Sequence, residues 1–315
     1  MLGVLLGLVA LLVAVGSWYL VTRKPIQEFV LPAISQEQLP HYAFSIYGVS
    51  QPVGVAVSPS GDRIYVAETG GQRLVHVFDG RGHELATFSP PRSTPGGRVP
   101  VYLALDPASG DVYVSDRLAA AIHVFDRDGR YRRTFEPRGL DGTWKPLGLA
   151  FDGEGNLYVS EVGGPNHRIL EFHTDGTLVR SIGAPGEFSY PNGLAVSPRG
   201  DLFVADGNNG RLLVIDGTNR QVGIIPRGAA NGELGLPRGT ALDDAGRLYV
   251  ADATSQAVQL YRVDEQTGRP SYLGTIGLPG RGDGQFAFPN GVAADTRARL
   301  YVADWGNNRV QVWSY

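Results

Sequence analysis

A unit of about 45 residues recurs six times along this chain, and that recurrence restricts the fold more than any single motif does. The last copy is the cleanest, PNGVAADTRARLYVADWGNNRVQVW over residues 289–313. It opens on Pro-x-Gly, runs through small apolar residues to a polar turn, and continues as Tyr-Val-Ala-Asp, a Gly/Asn loop, an arginine and an alternating strand. Searching backwards finds the same opening at Pro237, Pro191, Pro146, Pro100 and Pro52. The acidic residue closing the second strand keeps the same beat, at Glu68, Asp116, Glu161, Asp206, Asp252 and Asp304, in steps of 48, 45, 45, 46 and 52 residues.

Within each unit, short β-branched or aromatic runs such as Arg63-Ile64-Tyr65-Val66-Ala67 alternate with Gly, Asp and Asn turns, and no amphipathic helix intervenes. Four strands per unit, repeated six times, predict an all-β, six-bladed propeller over residues 43–315. The 43 glycines and 21 prolines fall at the repeated turns, which reads as turn chemistry rather than disorder. The last unit supplies only three strands before the chain stops at Tyr315. Residues 43–48, AFSIYG, precede Pro52 much as LGTIG at 273–277 precedes Pro289, so they are expected to complete blade 6 and leave no open edge.

Residues 1–22 carry no charged side chain and are long enough to span a bilayer as a helix. Trp18 and Tyr19 sit near the end of the run and Arg23 and Lys24 follow it, so the reading is a retained transmembrane anchor, with 23–42 as a linker. A cleaved signal peptide is the rival, with Ala14-Val15-Gly16 a poor cleavage site and no basic residue ahead of the apolar run. The basic pair on the C-terminal flank favours a cytoplasmic propeller, whereas tethered bacterial propellers usually face outward; outward is the weaker-founded expectation adopted.

The pattern Pro-x-Gly-[Val/Leu]-Ala, Leu-Tyr-Val-Ala-Asp, Asn-x-Arg-Val-Gln-Val resembles the NHL repeat, and GLPGRGDGQFAFPNG at 277–291 is similar to its inter-blade loop. The resemblance is strongest in blades 4 and 6. It weakens in blade 2, where Tyr102 replaces the glycine and Ala121 the arginine, and in blade 5, where Ala257 replaces the arginine.

Net charge is −3, so a broad nucleic-acid surface is not expected, and the absence of cysteine excludes disulfides, thiolate metal sites and cysteine nucleophiles. The six acidic strand ends invite a metal or acid/base reading, yet each precedes a Gly/Asn loop whose N–H groups such side chains accept, and Arg73, Arg168, Arg211 and Arg309 follow to pair with them. His76 and His123 align with Glu171, Gln259 and Gln311 in a polar slot of the third strand, one per blade, which is a structural reading. His41, His83, His167 and His173 have no evident partner in the sequence.

The x of Pro-x-Gly faces the channel mouth: Val53, Val101, Leu147, Asn192, Arg238 and Asn290. In the gluconolactonase family of six-bladed propellers the matching positions hold Glu, Asn and Asp ligands of a divalent cation, one of which Asn192 resembles, and amidating-lyase relatives of NHL proteins use a histidine-bound zinc. Here Val53 and Arg238 stand where carboxylates would be required, and no histidine is at a channel position, so no metal and no cofactor are expected. The candidate ligand-binding residues are Asn192, Arg238 and Asn290, with Tyr102, Tyr190, Phe288 and Trp144 bordering the opening. They point to a protein, peptide or polar-ligand binding scaffold that is not an enzyme, possible membrane-complex membership included; a propeller hydrolase or lyase with a non-standard site is the alternative.

Overall fold

The computed structural model describes residues 38–142 and 144–315, and the expected anchor and most of the linker lie outside them. Among the described residues no helix is long and apolar enough to cross a membrane. Residues 39–315 form one compact unit of six four-stranded antiparallel sheets, the six blades. In blade 1 the strands are Pro52–Val57, Ile64–Glu68, Val75–Phe78 and Glu84–Phe88, in sequential order from the axis outward. Blades 2 to 5 repeat that order.

Blade 6 takes three strands from the C-terminal end of the unit, and its fourth, outermost strand is His41–Ile46, antiparallel to Arg309–Ser314. The strand begins two residues earlier than the sequence suggests. Phe44 pairs with Val312 and Ile46 with Val310, and Tyr42 packs edge-on against Trp313 at 6.2 Å.

The core is not one cluster but a series of slabs, one between each pair of neighbouring blades. Val66 and Phe78 of blade 1 meet Tyr301 and Val312 of blade 6, for example, while Tyr65 and Val77, on the other face of the same strands, meet Val112 and Phe125 of blade 2. Period-2 alternation in strands buried on both faces produces this: each blade is apolar on both sides and can be covered only by its neighbours.

The innermost strands position the site. Their ladder pairs the opening proline with the acidic end of the second strand, Pro52 with Glu68 or Pro191 with Asp206, then resumes three residues later on one strand and two on the other. The same irregularity occurs in all six blades. It is a bulge, and it turns the x residue out of the ladder into the channel.

The glycine that follows x has a different reason. A Cβ on Gly54, Gly148, Gly193, Gly239 or Gly291 would strike the backbone carbonyl of the x residue in the next blade, at Val101, Asn192, Arg238, Asn290 and Val53 respectively. These glycines let the six innermost strands close on one another around the axis and form the waist of the channel. Blade 2 breaks the rule with Tyr102, and the contact there is made by a side chain instead: Ser115 Oγ donates to Leu147 O at 2.6 Å and accepts from Tyr102 N at 3.1 Å. Ser115 stands where blades 1, 4, 5 and 6 carry Ala67, Ala205, Ala251 and Ala303.

Candidate functional site

The Pro-x-Gly end of the channel, here the upper mouth, is a cavity of about 680 Å³. Val53, Val101 and Leu147 line one half; Asn192, Arg238 and Asn290 line the other, with Tyr102, Tyr190 and Phe288 around them. Trp144 is not part of it. Its ring lies over Phe135 and edge-on to Phe172, at 6.5 and 5.9 Å, on the outer part of the blade 2–3 slab. Two residues ahead of Pro146 in sequence, it is carried outward because the segment reaching the axis arrives from the outermost strand of blade 2.

Tyr190 and Phe288 immediately precede their prolines and both hold positive φ, 57° and 52°. That conformation costs a non-glycine residue about 1–2 kcal/mol, so the surrounding structure must enforce it. For Tyr190 the enforcing group is His167, whose Nδ1 accepts the Tyr190 N–H at 2.8 Å while the two rings meet edge-on at 5.7 Å. His167 has no visible partner in the sequence because that partner is a backbone amide 23 residues away. Phe288 is 53% exposed and meets Trp305 edge-on at 6.3 Å.

Asn192 is buried, and its Nδ2 donates to Tyr190 O at 2.9 Å; Asn290 Nδ2 donates to Phe288 O at 3.3 Å. Both asparagines therefore also brace the turns carrying the two aromatic residues. Arg238 Nη1 donates to Asn192 Oδ1 at 3.3 Å. Its guanidinium forms no ion pair among the described residues. Burial pushes the phenol of Tyr102 up to about 12, against the pull of the Arg238 charge, so Tyr102 stays neutral.

Two further cations line the same opening, Arg73, expected instead in an ion pair with the acidic ring, and Arg117, which belongs to a loop and carries no motif. Arg117 is exposed, and Arg73 Nη1 donates to Pro95 O at 3.1 Å. Pairing of Arg73 with Glu68 fails for a register reason. Glu68 sits opposite Leu74, whose carbonyl accepts its N–H, so Arg73 falls one position before the strand, at φ 55°. His76 takes its place, with Nε2 3.2 Å from Glu68 Oε2 though not aligned for a hydrogen bond, and Nδ1 bonded to Glu84 at 2.9 Å.

The remaining three arginines do pair with their acidic strand ends: Arg168 with Glu161 at 3.5 Å, Arg211 with Asp206 and Arg309 with Asp304 both at 2.9 Å. The acidic ring also accepts backbone N–H groups, as when Asp116 takes those of Val99, Leu118 and Ala119. All six carboxylates are buried at the strand ends and none lines the mouth.

The polar slot of the third strand also needs correction. His76, His123, Gln259 and Gln311 face the middle valine of the second strand in their blades, but in blade 3 that partner is Leu170, and Leu213 holds the position in blade 4. Glu171 is one step further along and on the other face, where it pairs with Arg180.

Comparison with known proteins finds the repeats of one family in this geometry. The NHL repeat model matches residues 49–77, 188–215 and 286–313, which are blades 1, 4 and 6; blades 2 and 5, whose motifs are degraded, are not matched. NHL repeat-containing protein 3 of Mus musculus is 27% identical over 229 residues, covering 67% of this chain and 50% of that protein. The chain spans half or less of the length of the curated relatives it matches. Among solved structures, a streptogramin B lyase superposes with TM-score 0.62 at 16% identity, over 87% of this chain and 98% of that one. A catalytically inactive virginiamycin B lyase from Staphylococcus aureus with quinupristin gives 0.59 at 17%, over 85% and 84%. Likeness at that identity establishes the shared fold alone. Three matched repeats and six closed blades make this chain a six-bladed β-propeller that carries NHL repeats.

Proposed function

We propose that the chain is a membrane-tethered binding propeller whose upper mouth takes a peptide or polar small molecule through an anionic group. The carrying observation is the charge of the lining: Arg73, Arg117 and Arg238 face the opening and no carboxylate does. Arg238 is the anchor of this reading, because its only hydrogen-bond partner among the described residues is the neutral Asn192. An apolar wall, two aromatic side chains on strained backbone and one unneutralised guanidinium suit a ligand with an apolar body and a carboxylate or similar group.

The lining also supports binding over catalysis. Among the described residues it contains no histidine, aspartate, glutamate or lysine, the side chains that most often serve as general acids and bases, and the Tyr102 phenol is held far above neutral pH. Tethering rests on residues 1–22, an uncharged run of spanning length followed by Arg23 and Lys24, with the propeller outside the cytoplasm as the working orientation. Membrane fractionation with N-terminal sequencing tests it: a soluble protein, or a mature chain beginning near Ser17, would remove the anchor.

The mouth is tested by affinity capture with detergent-solubilised full-length protein, wild type against Arg238→Glu, followed by titration of captured peptides as free acids and as amides. Wild type should prefer the acids, and Arg238→Glu should lose capture with an unchanged far-ultraviolet spectrum. Equal capture by the two proteins would put the function elsewhere on the surface.

A further inference from the structure

Two of the residues that precede a Pro-x-Gly opening donate their backbone N–H to a side chain of the neighbouring blade, and the two acceptors differ in one chemical respect. Gln51, at φ 50°, donates to Asn308 Oδ1 of blade 6 at 2.8 Å; Tyr190, at φ 57°, donates to His167 Nδ1 of blade 3 at 2.8 Å. Asn308 precedes Arg309 as His167 precedes Arg168, so both acceptors hold the same place in their loops. An amide oxygen suffices at that place, and it does not titrate. Imidazole does, ordinarily between pH 5 and 8.

Because the donor is a backbone N–H, Nδ1 of His167 must carry the lone pair, which puts the proton of the neutral ring on Nε2. An imidazolium has a proton on both nitrogens, so protonation removes this bond outright. A chain of contacts reaching the mouth depends on it. Tyr190 O accepts Asn192 Nδ2 at 2.9 Å, and Asn192 Oδ1 accepts Arg238 Nη1 at 3.3 Å. Tyr190, Asn192 and Arg238 all line the mouth, whereas His167, half-buried, lines a separate hollow of about 310 Å³.

The charged groups around the ring are mostly engaged with one another. In the hollow, Glu161 is paired with Arg168 at 3.5 Å and accepts the N–H groups of Lys145 and Gly163, while Arg168 Nη2 donates to Asp141 O at 3.1 Å. On the segment leading to Tyr190, Glu187 accepts the Ala184 N–H, and Asp206 takes the Ser189 N–H and pairs with Arg211. The Tyr190 phenol ring lies edge-on to the imidazole at 5.7 Å. Asp141 also lines the hollow, forms no ion pair among the described residues, and offers a carboxylate to a protonated ring.

We infer that His167 is a positioning residue of the upper mouth and makes ligand binding there proton-dependent: the mouth is held in shape while the ring is neutral and loosens when it is protonated. This rests on the proposed role of the mouth and adds a condition to it. A ligand that requires the neutral ring excludes a proton from it, so affinity is full above the range in which the ring titrates and falls as pH drops through that range.

The test measures binding of N-acetyl-L-phenylalanine, and of its amide as control, to the detergent-solubilised full-length protein by calorimetry at pH 7.5 and pH 5.0. The carboxyl of the probe, with an ordinary pKa of about 3.5, stays ionised at both. Wild type should bind the acid about tenfold more weakly at pH 5.0, through loss of one hydrogen bond and release of Tyr190. His167→Ala should bind weakly at both pH values, and His167→Asn, which puts an amide oxygen where blade 6 has one, should restore the wild-type affinity and remove its pH dependence. Nitrogen-15 spectra of the histidines at pH 7.5, assigned by the signal lost in His167→Asn, should show Nδ1 without a proton. Equal wild-type affinity at the two pH values, a decline that persists in His167→Asn, or a proton on Nδ1 at pH 7.5 would overturn the inference and leave the role of the mouth standing. A wild-type protein that binds acid and amide alike, or acid binding that survives Arg238→Glu, would instead remove the role of the mouth and this inference with it.

Discussion

The two ends of the channel are lined by the same six strands and yet are chemically opposite. Above the waist, x of Pro-x-Gly varies between valine, leucine, asparagine and arginine, and three guanidiniums face the opening. Below it, the middle position is alanine in every blade and its neighbours are apolar except Thr240. The difference follows from the bulge. Residues turned out of the ladder at x contribute little to the inter-blade slabs and are free to vary, whereas those below the waist also form the slabs and are held to apolar, volume-matched types. Blade 5 departs at both ends, with Arg238 above and Thr240 below, on the same strand.

The strongest way to break this comparison is to attack the waist that divides the ends. Gly148→Ala places a Cβ inside the carbonyl of Asn192, a backbone atom that has no room to yield, and is expected to destabilise by more than about 4 kcal/mol in urea unfolding. Because the waist supports the upper mouth, ligand capture there should be lost with it; retained capture would show the mouth to be held independently of the waist. Next in size, Arg238→Glu should lower affinity for an anionic ligand about 100-fold, a charge reversal at close range, while the melting temperature moves little because Arg238 has no ion pair to lose.

Ser115→Ala removes the hydroxyl that stands in for the missing glycine in blade 2. It leaves Tyr102 N and Leu147 O without that partner and should cost about 1–3 kcal/mol, although alanine is native at this position in four other blades. A neutral result would mean the blade 2–3 contact needs no side chain. The smallest effect lies away from both ends. Burial holds the imidazole of His123 below its ordinary pKa, so the folded protein favours the neutral ring. That stability is complete above the unfolded value of 6.5 and is lost as pH falls from there through the folded pKa, because the unfolded chain binds the proton first. His123→Gln, the residue type that fills the slot in blades 5 and 6, can still reach Thr134, as Gln259 reaches Thr275, and should flatten the decline in melting temperature between pH 7 and pH 5.

The blades, their order and the pairing of residues near 43–48 with the last one were legible because each rests on a period, and a period survives local variation. Assignments that failed were single-residue ones. Glu171 was misplaced by one position because a longer loop precedes its strand, seven residues separating Glu161 from Arg168 against five from Asp206 to Arg211, whereas Arg73 keeps the spacing of five from Glu68 and is displaced because its strand pairs one residue later, with Leu74 opposite Glu68. One step in a strand changes the face, so a small counting error reverses the reading. Trp144 was misplaced because nearness in sequence to an innermost strand is not nearness to the axis. Arg117 and His167 carry no motif at all; what marks them is a cavity or a backbone amide, and these exist only after folding.

The pairing of His41–Ile46 with Arg309–Ser314 gives this chain an awkward order of events during its synthesis. The strand that leaves the ribosome before any blade is also the last to find its partner, since Tyr42 must wait for Asp283, 241 residues downstream, and for Trp313 beyond it. Closing so wide a loop is not the obstacle, because its entropic cost grows only with the logarithm of length. What the delay creates is an interval in which five assembled sheets form an open arc, with the slab-facing sides of blades 1 and 5 both uncovered. Two such arcs could seal each other as readily as one seals itself, so low concentration and rapid completion of the last blade should favour the monomeric ring over an interlocked pair.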